Sequence, residues 1–271
     1  MKKTAKLLNG SEVASYIKQR QAKAVTSIKQ SGITPKLAII RTNPNPVVAS
    51  YMRIKTGYAQ DIGAEAEVHE IDQTEAISLI KKLNKDDSVH GIIVQIPLPD
   101  RSLEKDVLNS VSLAKDVDGL AEGSKFDCPT PLAIIWLLAG YNIDLSTKKI
   151  LIVGLGGLVG EPLLKMMQDS GYDVSGADKR TKDLRSETLK ADVIISCTGV
   201  PALITSDMVK PNVIIVDAGV ATDKNGLVGD VADDVREMPD ITITPLKGGV
   251  GPLTVTALYE NVLTAARNQL G

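Results

Sequence analysis

The chain has 271 residues, of which 43% are hydrophobic and 24% charged, so it is long enough for one large or two modest globular domains. Its formal net charge of -2 shows no electrostatic footprint for a nucleic acid, so a polyanion held by charge alone is not the expected substrate. Only 3% of the residues are aromatic, so the core must come from Ile, Val, Leu and Ala, as in buried parallel strands.

Apolar periodicity and turn residues predict alternating helices and strands in the first half of the chain. In order these are a helix (11–31), a strand (36–41), a helix (47–62), a strand (66–71), a helix (74–84), a strand (91–96) and a short helix (102–109). Strands that alternate with helices predict a parallel sheet. The polar, turn-rich segment 115–131 then marks a boundary, which we place between a first domain at 1–120 and a second at 121–252.

A second alternating series follows the boundary. The predicted elements are a bridging helix (131–139), a strand (148–154), a helix (159–169), a strand (173–178), a helix (183–189), a strand (192–197), a helical turn (205–209), strands at 213–219 and 241–244, and a helix (253–269). No strand follows the last helix, so we expect segment 253–271 to pack back on the first domain. The predicted fold is α/β, with two mainly parallel sheets flanked by helices, the second Rossmann-like, and a cleft between the domains.

Cysteine and histidine are scarce. Cys128 and Cys197 have no spacing typical of a disulfide framework or a zinc site, so we expect reduced thiols and no metal. His69 and His90 fall in or beside predicted strands, so the chain is not expected to use the proton-transfer histidine of many dehydrogenases. The first residues contain no uninterrupted apolar h-region, so we expect no signal peptide, and no apolar run reaches the ~20 residues that span a bilayer. We therefore expect a cytoplasmic protein without membrane partners.

A glycine-rich stretch, GLGGLVG (154–160), stands between a predicted strand and a predicted helix. Glycines let the backbone approach a pyrophosphate, and a helix N-terminus offers free N–H groups to it. The spacing departs from G-x-G-x-x-G, because Val159 holds the third glycine position and Gly160 follows it. A simple tight turn is the alternative, but the β-α-β-α-β order that follows favours a dinucleotide site. The candidate residues are Gly154, Leu155, Gly156, Gly157, Val159 and Gly160.

The end of the second strand of this half, ADKRT (177–181), bears on the choice of dinucleotide. Asp178 could bond a ribose 2′-hydroxyl, which favours NAD. Lys179 and Arg180 could hold a 2′-phosphate, which favours NADP, although a solvated surface turn is the alternative. Two cations beside one carboxylate leave the site net positive, so NADP is preferred.

Tyr51 and Lys55 lie four residues apart on a predicted helix and so share a face. Lys55 can serve as a general acid or base if burial lowers its pKa, since desolvation disfavours the ammonium form. The alternative is an ordinary half-exposed helix face.

Several further motifs, in order and spacing, resemble those of the methylenetetrahydrofolate dehydrogenase/cyclohydrolase family. The resemblance covers nearly the whole chain, and VQIPLP, DVDG and GGVGPLT together are its most specific part. The matching segments are SYMRIK (50–55), GIIVQIPLP (91–99), KDVDG (115–119), VGEP (159–162), ADVIISCTGVP (191–201), VIIVDAG (213–219), GDV (229–231) and GGVGPLTVTAL (248–258).

The resemblance implies a role for each matching residue. Lys55 would be the catalytic lysine, Gln95 would hydrogen-bond and tune it, and Tyr51 would stack on the folate. Asp118 would accept N–H donors from the pterin edge. Two further sets of residues complete the implied sites. The substrate would contact Gly249, Pro252 and Leu253, which belong to a wall between the domains that runs from Gly249 to Thr254. The dinucleotide would contact Thr198, Gly199 and Val220.

The implied activity has two steps. A hydride passes from 5,10-methylenetetrahydrofolate to NADP, and the resulting cationic 5,10-methenyltetrahydrofolate is hydrolysed to 10-formyltetrahydrofolate. A protonated Lys55 would repel that cation, so its pKa should be depressed. The resemblance also implies a homodimer in one-carbon metabolism, including purine biosynthesis, with tetrahydrofolate as the one-carbon carrier.

The chain departs from the family at three places. The family's Gly-Arg-Ser is Gly154-Leu155-Gly156, which leaves NAD open beside NADP. Lys247 replaces a proline before the double glycine, and Cys128 is shifted by one position, so we assign it no catalytic role. Three alternatives stay open: a dehydrogenase with little cyclohydrolase activity, a two-domain dehydrogenase of the amino-acid or shikimate type, and a regulatory module that senses a nucleotide.

Overall fold

The computed structural model describes residues 5–43, 46–219, 221–223 and 226–270, without the side chains of 46–51 and 221–223. The chain divides into two compact units, each assembled from two separate stretches of sequence. The first unit comprises Ser15–Pro129 and Val255–Gly271, and the second comprises Met1–Ala14 and Thr130–Thr254. Among the described residues, no helix is both long and apolar enough to cross a membrane.

Helices and strands alternate as the sequence predicts. Up to residue 140 they are β1 (Lys6–Leu7), α1 (Gly10–Gln30), β2 (Lys36–Arg41), α2 (Pro46–Ile62), β3 (Glu65–Glu70), α3 (Ala76–Asn84), β4 (Gly91–Gln95), α4 (Glu104–Asn109) and α5 (Pro129–Gly140). The rest are β5 (Ile150–Val153), α6 (Gly160–Asp169), β6 (Val174–Ala177), α7 (Leu184–Lys190), β7 (Val193–Ser196), β8 (Ile214–Asp217), β9 (Ala221–Asp223), β10 (Gly226–Val228), α8 (Asp233–Arg236), β11 (Thr242–Ile243) and α9 (Val250–Asn268).

The sheet of the first unit is parallel, with the order β3-β2-β4. Side chains of the central strand β2 alternate between two buried faces, as the pleat requires. Leu37 and Ile39 pack in a core with residues of α1, α2 and α9, whereas Ala38 and Ile40 pack with α3 and α4. The sheet is thus buried on both faces, which explains why β2 reads as a continuous apolar run.

The sheet of the second unit has six strands in the order β1-β11-β8-β7-β5-β6, and all its pairs are parallel. Together the two sheets confirm the predicted α/β class and the Rossmann-like second half. Four short elements were not predicted, namely β1, α8 and the two strands of the antiparallel hairpin β9–β10. None of the four lies within a longer apolar run that would mark it, and β1 depends on a partner strand more than 200 residues away.

Two predicted helix boundaries need correction. Helix α9 begins at Val250 rather than at residue 253, and α5 begins at Pro129 rather than at residue 131. Both helices carry a proline in the first turn, Pro252 in α9 and Pro131 in α5, and the predicted start was placed at or directly after that proline. The structure tolerates it because first-turn N–H groups have no acceptor within the helix.

Candidate active site and dinucleotide site

In the first unit, Lys55 and Gln95 belong to α2 and β4, two elements that meet at one edge of the sheet. The central strand β2 is followed by α2, which carries Lys55, and Gln95 is the last residue of β4. Because β2 lies between β3 and β4, the chain leaves β2 and β4 at a point where the strand order reverses, the usual place for a ligand in open α/β sheets. The Lys55 Nζ donates a hydrogen bond of 3.2 Å to the Gln95 Oε1.

Burial shifts the ionisation of this lysine and of a nearby acid. Desolvation lowers the pKa of Lys55, and the charge of Asp118 opposes that shift. Desolvation raises the pKa of Asp118, which Lys55 opposes and Asp116 reinforces. The surroundings therefore push both groups toward their neutral forms, the requirement for a lysine that exchanges protons near neutral pH.

The loop that carries Asp118 runs alongside β4. The Ile92 N–H donates to the Lys115 carbonyl at 2.8 Å, and Ile92 pairs with Asp116 as a parallel bridge. The Asp116 carboxylate then accepts from the Ala121 N–H at 2.9 Å and so closes the turn that follows Asp118. Asp116 thus shapes the loop, whereas Asp118 is left at its tip.

Gly119 is required directly after Asp118. Its φ is +68°, which L residues with a side chain rarely adopt. A Cβ at this position would also lie only 2.6 Å from the Phe126 carbonyl oxygen. The DVDG segment therefore ends in glycine for backbone reasons.

Helix α9 supplies two polar anchors to this region. The Tyr259 hydroxyl donates to the Lys55 carbonyl at 2.9 Å. The Asn261 Nδ2 donates to the carbonyls of Val117 at 2.8 Å and Asp127 at 2.9 Å. Sequence reasoning missed both residues, and the available signal was weak: two polar side chains on the buried face of an otherwise apolar helix.

In the second unit, the glycine loop and the segment after β7 meet at the reversal of strand order. Strand β5 lies between β6 and β7. Gly154, directly after β5, has a φ of +96°, and a Cβ there would lie 2.7 Å from the Thr198 Cγ2. Gly199 also has a positive φ, of +69°. The structure therefore brings Gly154, Thr198 and Gly199 together.

Gly160 explains the irregular spacing of the glycine motif. It is the first residue of α6, and a Cβ there would lie 1.8 Å from the Gly154 carbonyl oxygen. Close helix–strand packing is the task of the third glycine in dinucleotide folds, and here it falls one residue later. Gly156 and Gly157 are exposed, with no atom within 4 Å of a Cβ built on them. The loop thus fits a pyrophosphate, with open backbone before a helix N-terminus.

The residues at the end of β6 form an ion pair. Arg180 donates to Asp178 through its Nε at 2.8 Å and its backbone N–H at 2.9 Å, and its Nη2 lies 2.6 Å from the same carboxylate. These bonds hold the pKa of Asp178 below its usual range. Lys179 is exposed beside the pair. Leu155, which replaces the family arginine, packs instead on β6, where a Cβ on Gly176 would lie 2.8 Å from its Cδ2.

Five further residues were predicted for the two sites. The side chain of Tyr51 and the whole of Val220 lie outside the described residues. Gly249, Pro252 and Leu253 belong to the second unit, and the Leu253 side chain is fully buried there.

The thiols and the buried histidine carry no catalytic signature. Burial raises the pKa of Cys128 to about 11 and that of Cys197 to about 12, so neither is a ready nucleophile. The His90 Nδ1 accepts from the Lys36 N–H at 3.1 Å, and burial lowers the pKa of this imidazole. Its contacts are those of a structural residue.

Two parallel α/β units, one with a glycine loop and one with a half-buried lysine whose pKa is lowered, define a dinucleotide-dependent enzyme of two domains. Residues 8–118 match the family model "Tetrahydrofolate dehydrogenase/cyclohydrolase, catalytic domain", and residues 128–270 match that of the family's NAD(P)-binding domain. The chain therefore belongs to the tetrahydrofolate dehydrogenase/cyclohydrolase family.

Individual relatives match this chain over nearly its whole length. The bifunctional protein FolD of Staphylococcus aureus is 37% identical, with 98% of both chains covered. The crystal structure of the Campylobacter jejuni bifunctional enzyme FolD has a TM-score of 0.93 at 37% identity and covers 98% of this chain and 100% of that one. The Trypanosoma brucei enzyme, crystallised with NADP cofactor and an inhibitor, has a TM-score of 0.91 at 25% identity, with 99% of both chains covered.

Proposed function

We propose that the protein oxidises 5,10-methylenetetrahydrofolate with NADP and hydrolyses the 5,10-methenyltetrahydrofolate formed to 10-formyltetrahydrofolate. The observation that carries the proposal is the Lys55–Gln95 hydrogen bond in surroundings that lower the lysine pKa, with Asp118 beside it. The family membership of both halves supports the same pair of reactions.

In the first reaction the chain binds and orients, and no strong base is needed. Asp118 holds the pterin edge, and Tyr51 stacks on the folate. The glycine loop from Gly154 to Gly160 and the Thr198–Gly199 segment hold the dinucleotide, together with Val220. When bound, NADP supplies the hydride acceptor.

In the second reaction Lys55 moves a proton. Water attacks the methenyl carbon, and a neutral Lys55 amine takes one proton of the water and returns it to the ring nitrogen as the bond from that nitrogen to the methenyl carbon breaks. The proton that remains on the hydroxyl passes to solvent as the formyl carbonyl forms, so each hydrolysis releases one proton. Gln95 holds the amine in place through its Oε1. A neutral amine also avoids charge repulsion with the cationic methenyl group, which desolvation of Lys55 favours.

The proposed preference for NADP rests on the end of β6. The Asp178 carboxylate already accepts from Arg180 through both oxygens, which leaves it less able to bind a ribose 2′-hydroxyl. Lys179 and the remaining donors of Arg180 face solvent and suit a 2′-phosphate. The NADP complex of the T. brucei relative supports the same choice.

The proposal also covers the location of the protein, its oligomeric state, its partners and its domain bounds. We propose a cytoplasmic homodimer that acts on a small folate, with neither nucleic acid nor membrane as partner, and whose product supplies formyl groups for purine biosynthesis. The family resemblance supports the dimer, and two free thiols fit a reducing compartment. The folate-binding domain is proposed at 1–120 with 253–271, and the dinucleotide-binding domain at 121–252.

One spectrophotometric assay tests the function. Purified protein receives methylenetetrahydrofolate with NADP or NAD, and the absorbance of methenyltetrahydrofolate is followed as it forms and decays. We expect formation that is faster with NADP, followed by enzyme-dependent decay. Turnover with neither dinucleotide would overturn the proposal, and formation without decay would reduce it to a dehydrogenase alone.

A further inference from the structure

Two buried acids of the second unit have no part in the proposed chemistry. Asp217 is the last residue of β8, and Asp230 lies between β10 and α8. Their exposed fractions are 5% and 0%. Buried carboxylates are costly unless they are paired or accept hydrogen bonds, so their contacts indicate what they do.

Asp230 binds the segment that follows β7. Its Oδ2 accepts from the Ser196 hydroxyl at 2.7 Å and from the Thr198 backbone N–H at 2.7 Å. A Cβ on Gly219 would lie 2.0 Å from the same oxygen, so the carboxylate presses against the backbone after β8. One side chain therefore contacts the chain exits of two neighbouring strands.

Asp217 fixes Asp230 in turn. Its Oδ1 accepts from the Asp230 N–H at 3.1 Å, and its Oδ2 accepts from the Val231 N–H at 3.2 Å. The guanidinium of Arg236 also donates to the Asp217 carboxylate, and its Nη1 donates to the Thr244 carbonyl at 2.8 Å. Burial raises the pKa of Asp217, and the charge of Arg236 opposes that shift.

The segment that Asp230 holds is the one that lies against the glycine loop. The Thr198 methyl group is the atom that a Cβ on Gly154 would meet at 2.7 Å, and Cys197 backbone atoms lie 3.0 Å from the same point. A displacement of Thr198 would therefore change the surface presented beside Gly154. The Cys197 N–H bond to the Val153 carbonyl, of 2.9 Å, holds the start of this segment. The bond to Asp230 opposes a displacement of Thr198 itself, which follows the last residue of β7 by two positions.

We propose that Asp230, held by Asp217 and Arg236, is a positioning residue that fixes the Cys197–Gly199 segment for dinucleotide binding. The inference rests on the proposed dinucleotide-dependent oxidation. The proposal also explains the GDV segment (229–231), in which Asp230 is the middle residue. Gly229 leaves room for the Asp217 side chain, since a Cβ on Gly229 would lie 2.0 Å from the Asp217 Oδ2. Asp230 acts through the backbone of Thr198, without touching the dinucleotide.

The test compares Asp230→Ala with Asp230→Asn. Alanine removes both hydrogen bonds to the Asp230 Oδ2, so the KM for NADP should rise about tenfold, the effect of leaving a polar group unpaired, with a smaller change in kcat. Asparagine keeps an oxygen that accepts from Ser196 and Thr198, so it should restore the KM to within about threefold of the wild type. The Thr198 amide proton should exchange faster with solvent in the alanine variant alone.

Asp192→Ala is the matched control. The Asp192 carboxylate also accepts from a backbone N–H, that of Lys149 at 2.9 Å, and from the Lys210 Nζ at 2.7 Å, but it precedes β7 and lies at the opposite end of the sheet. We expect Asp192→Ala to lower the melting temperature without a change in the KM for NADP. Hydrolysis of added methenyltetrahydrofolate, which consumes no dinucleotide, reports on the folding of each variant.

The outcomes separate the inference from the proposed function. Wild-type protein that oxidises methylenetetrahydrofolate, with Asp230→Ala unchanged in its KM for NADP, would overturn the inference alone. So would a KM that rises equally in the alanine and asparagine variants, or equally in Asp230→Ala and Asp192→Ala. Wild-type protein without any turnover would instead overturn the proposed function.

Discussion

At the scale of single residues, the surroundings of Lys55 decide its chemistry. An exposed lysine is protonated at neutral pH and can neither accept a proton nor approach a cationic intermediate. Burial disfavours the ammonium form, and Gln95 offers an oxygen that holds the amine without adding a charge. The negative charge of Asp118 opposes this lowering of the Lys55 pKa. This balance makes two changes informative.

Lys55→Met removes the amine while keeping an unbranched side chain. We expect the hydrolysis of methenyltetrahydrofolate to fall about 10²–10⁴-fold, the usual contribution of a general acid or base. The rate is measured on purified variant by the decay of methenyl absorbance. Lys82→Met, on the exposed face of α3, is the control and should keep the wild-type rate. Full hydrolysis by Lys55→Met would show that another group moves the proton.

Asp118→Asn should shift the pH profile of hydrolysis. The negative charge of Asp118 raises the pKa of Lys55 against the effect of burial, so its removal lets that pKa fall further. The neutral amine then persists to lower pH, and the acid limb of the profile at saturating substrate should move downward. The KM for the folate should rise as well. An acid limb that stays in place or moves upward would contradict the coupling of the two groups.

The choice of dinucleotide is tested at Lys179 and Arg180. Replacing both with alanine removes the cations at the end of β6 and releases the Asp178 carboxylate. The KM for NADP should rise about tenfold, whereas the KM for NAD should stay constant or fall, because a free carboxylate suits a ribose 2′-hydroxyl. Steady-state kinetics with both dinucleotides measure the change. Equal effects on the two would place 2′-phosphate recognition elsewhere.

At the scale of elements, both units place functional residues where the order of strands reverses. Strand β2 lies between β3 and β4, and β5 lies between β6 and β7. Helices and loops that follow these central strands leave the sheet on different sides, which opens a space at the carboxyl edge. Lys55 and Gln95 meet at the first such edge, and Gly154 and Thr198 meet at the second.

Gly160→Ala tests the close approach of α6 to the end of β5. The new Cβ would lie 1.8 Å from the Gly154 carbonyl oxygen, so the helix must move away. We expect a lower melting temperature and weaker binding of NADP, measured by calorimetry. Gly157→Ala is the comparison, since its Cβ meets no atom within 4 Å. Gly157→Ala should leave the melting temperature unchanged. Any loss of affinity for NADP in this variant would come from obstruction of the pyrophosphate alone.

At the scale of the whole molecule, each unit is completed by a distant stretch of sequence. The first unit takes residues from Val255 onward, whose apolar side chains, including Leu258 and Val262, lie in the core beside β2. The second takes the N-terminal residues, where β1 pairs with β11. Long-range contacts of this kind tie the stability of each unit to both parts of the chain.

Asn261→Ala tests this long-range support. The change leaves the carbonyls of Val117 and Asp127 without their donor, which costs about 1–3 kcal/mol in the free energy of unfolding. Because Asp118 follows Val117, the KM for the folate should rise as well. Asn84→Ala is matched to it, since Asn84 bonds the Ser110 carbonyl and the Ser112 N–H at the other end of the loop. It should lower stability without raising that KM.

Much of the site could be predicted because local signals carry it. The lysine on its helix, the VQIPLP strand end, the DVDG turn and the glycine loop each stand within a few residues of sequence. Tyr259, Asn261 and the Asp217–Asp230–Arg236 cluster were not predicted as site residues. Each acts through a partner at least 13 residues away, as Asn261 does on Val117, and no local pattern marks such a pair.

The sequence by itself determined the order and type of the longer elements, the two parallel sheets and the family, because apolar periodicity, turn residues and contiguous motifs are local properties of a chain. Only the tertiary structure decided that Gly160 supplies the close packing expected of a third glycine, that Asp178 is already paired with Arg180, and that Lys55 is buried enough for its pKa to fall. The physical reason is that clashes, ion pairs and desolvation depend on what folding brings within a few ångströms.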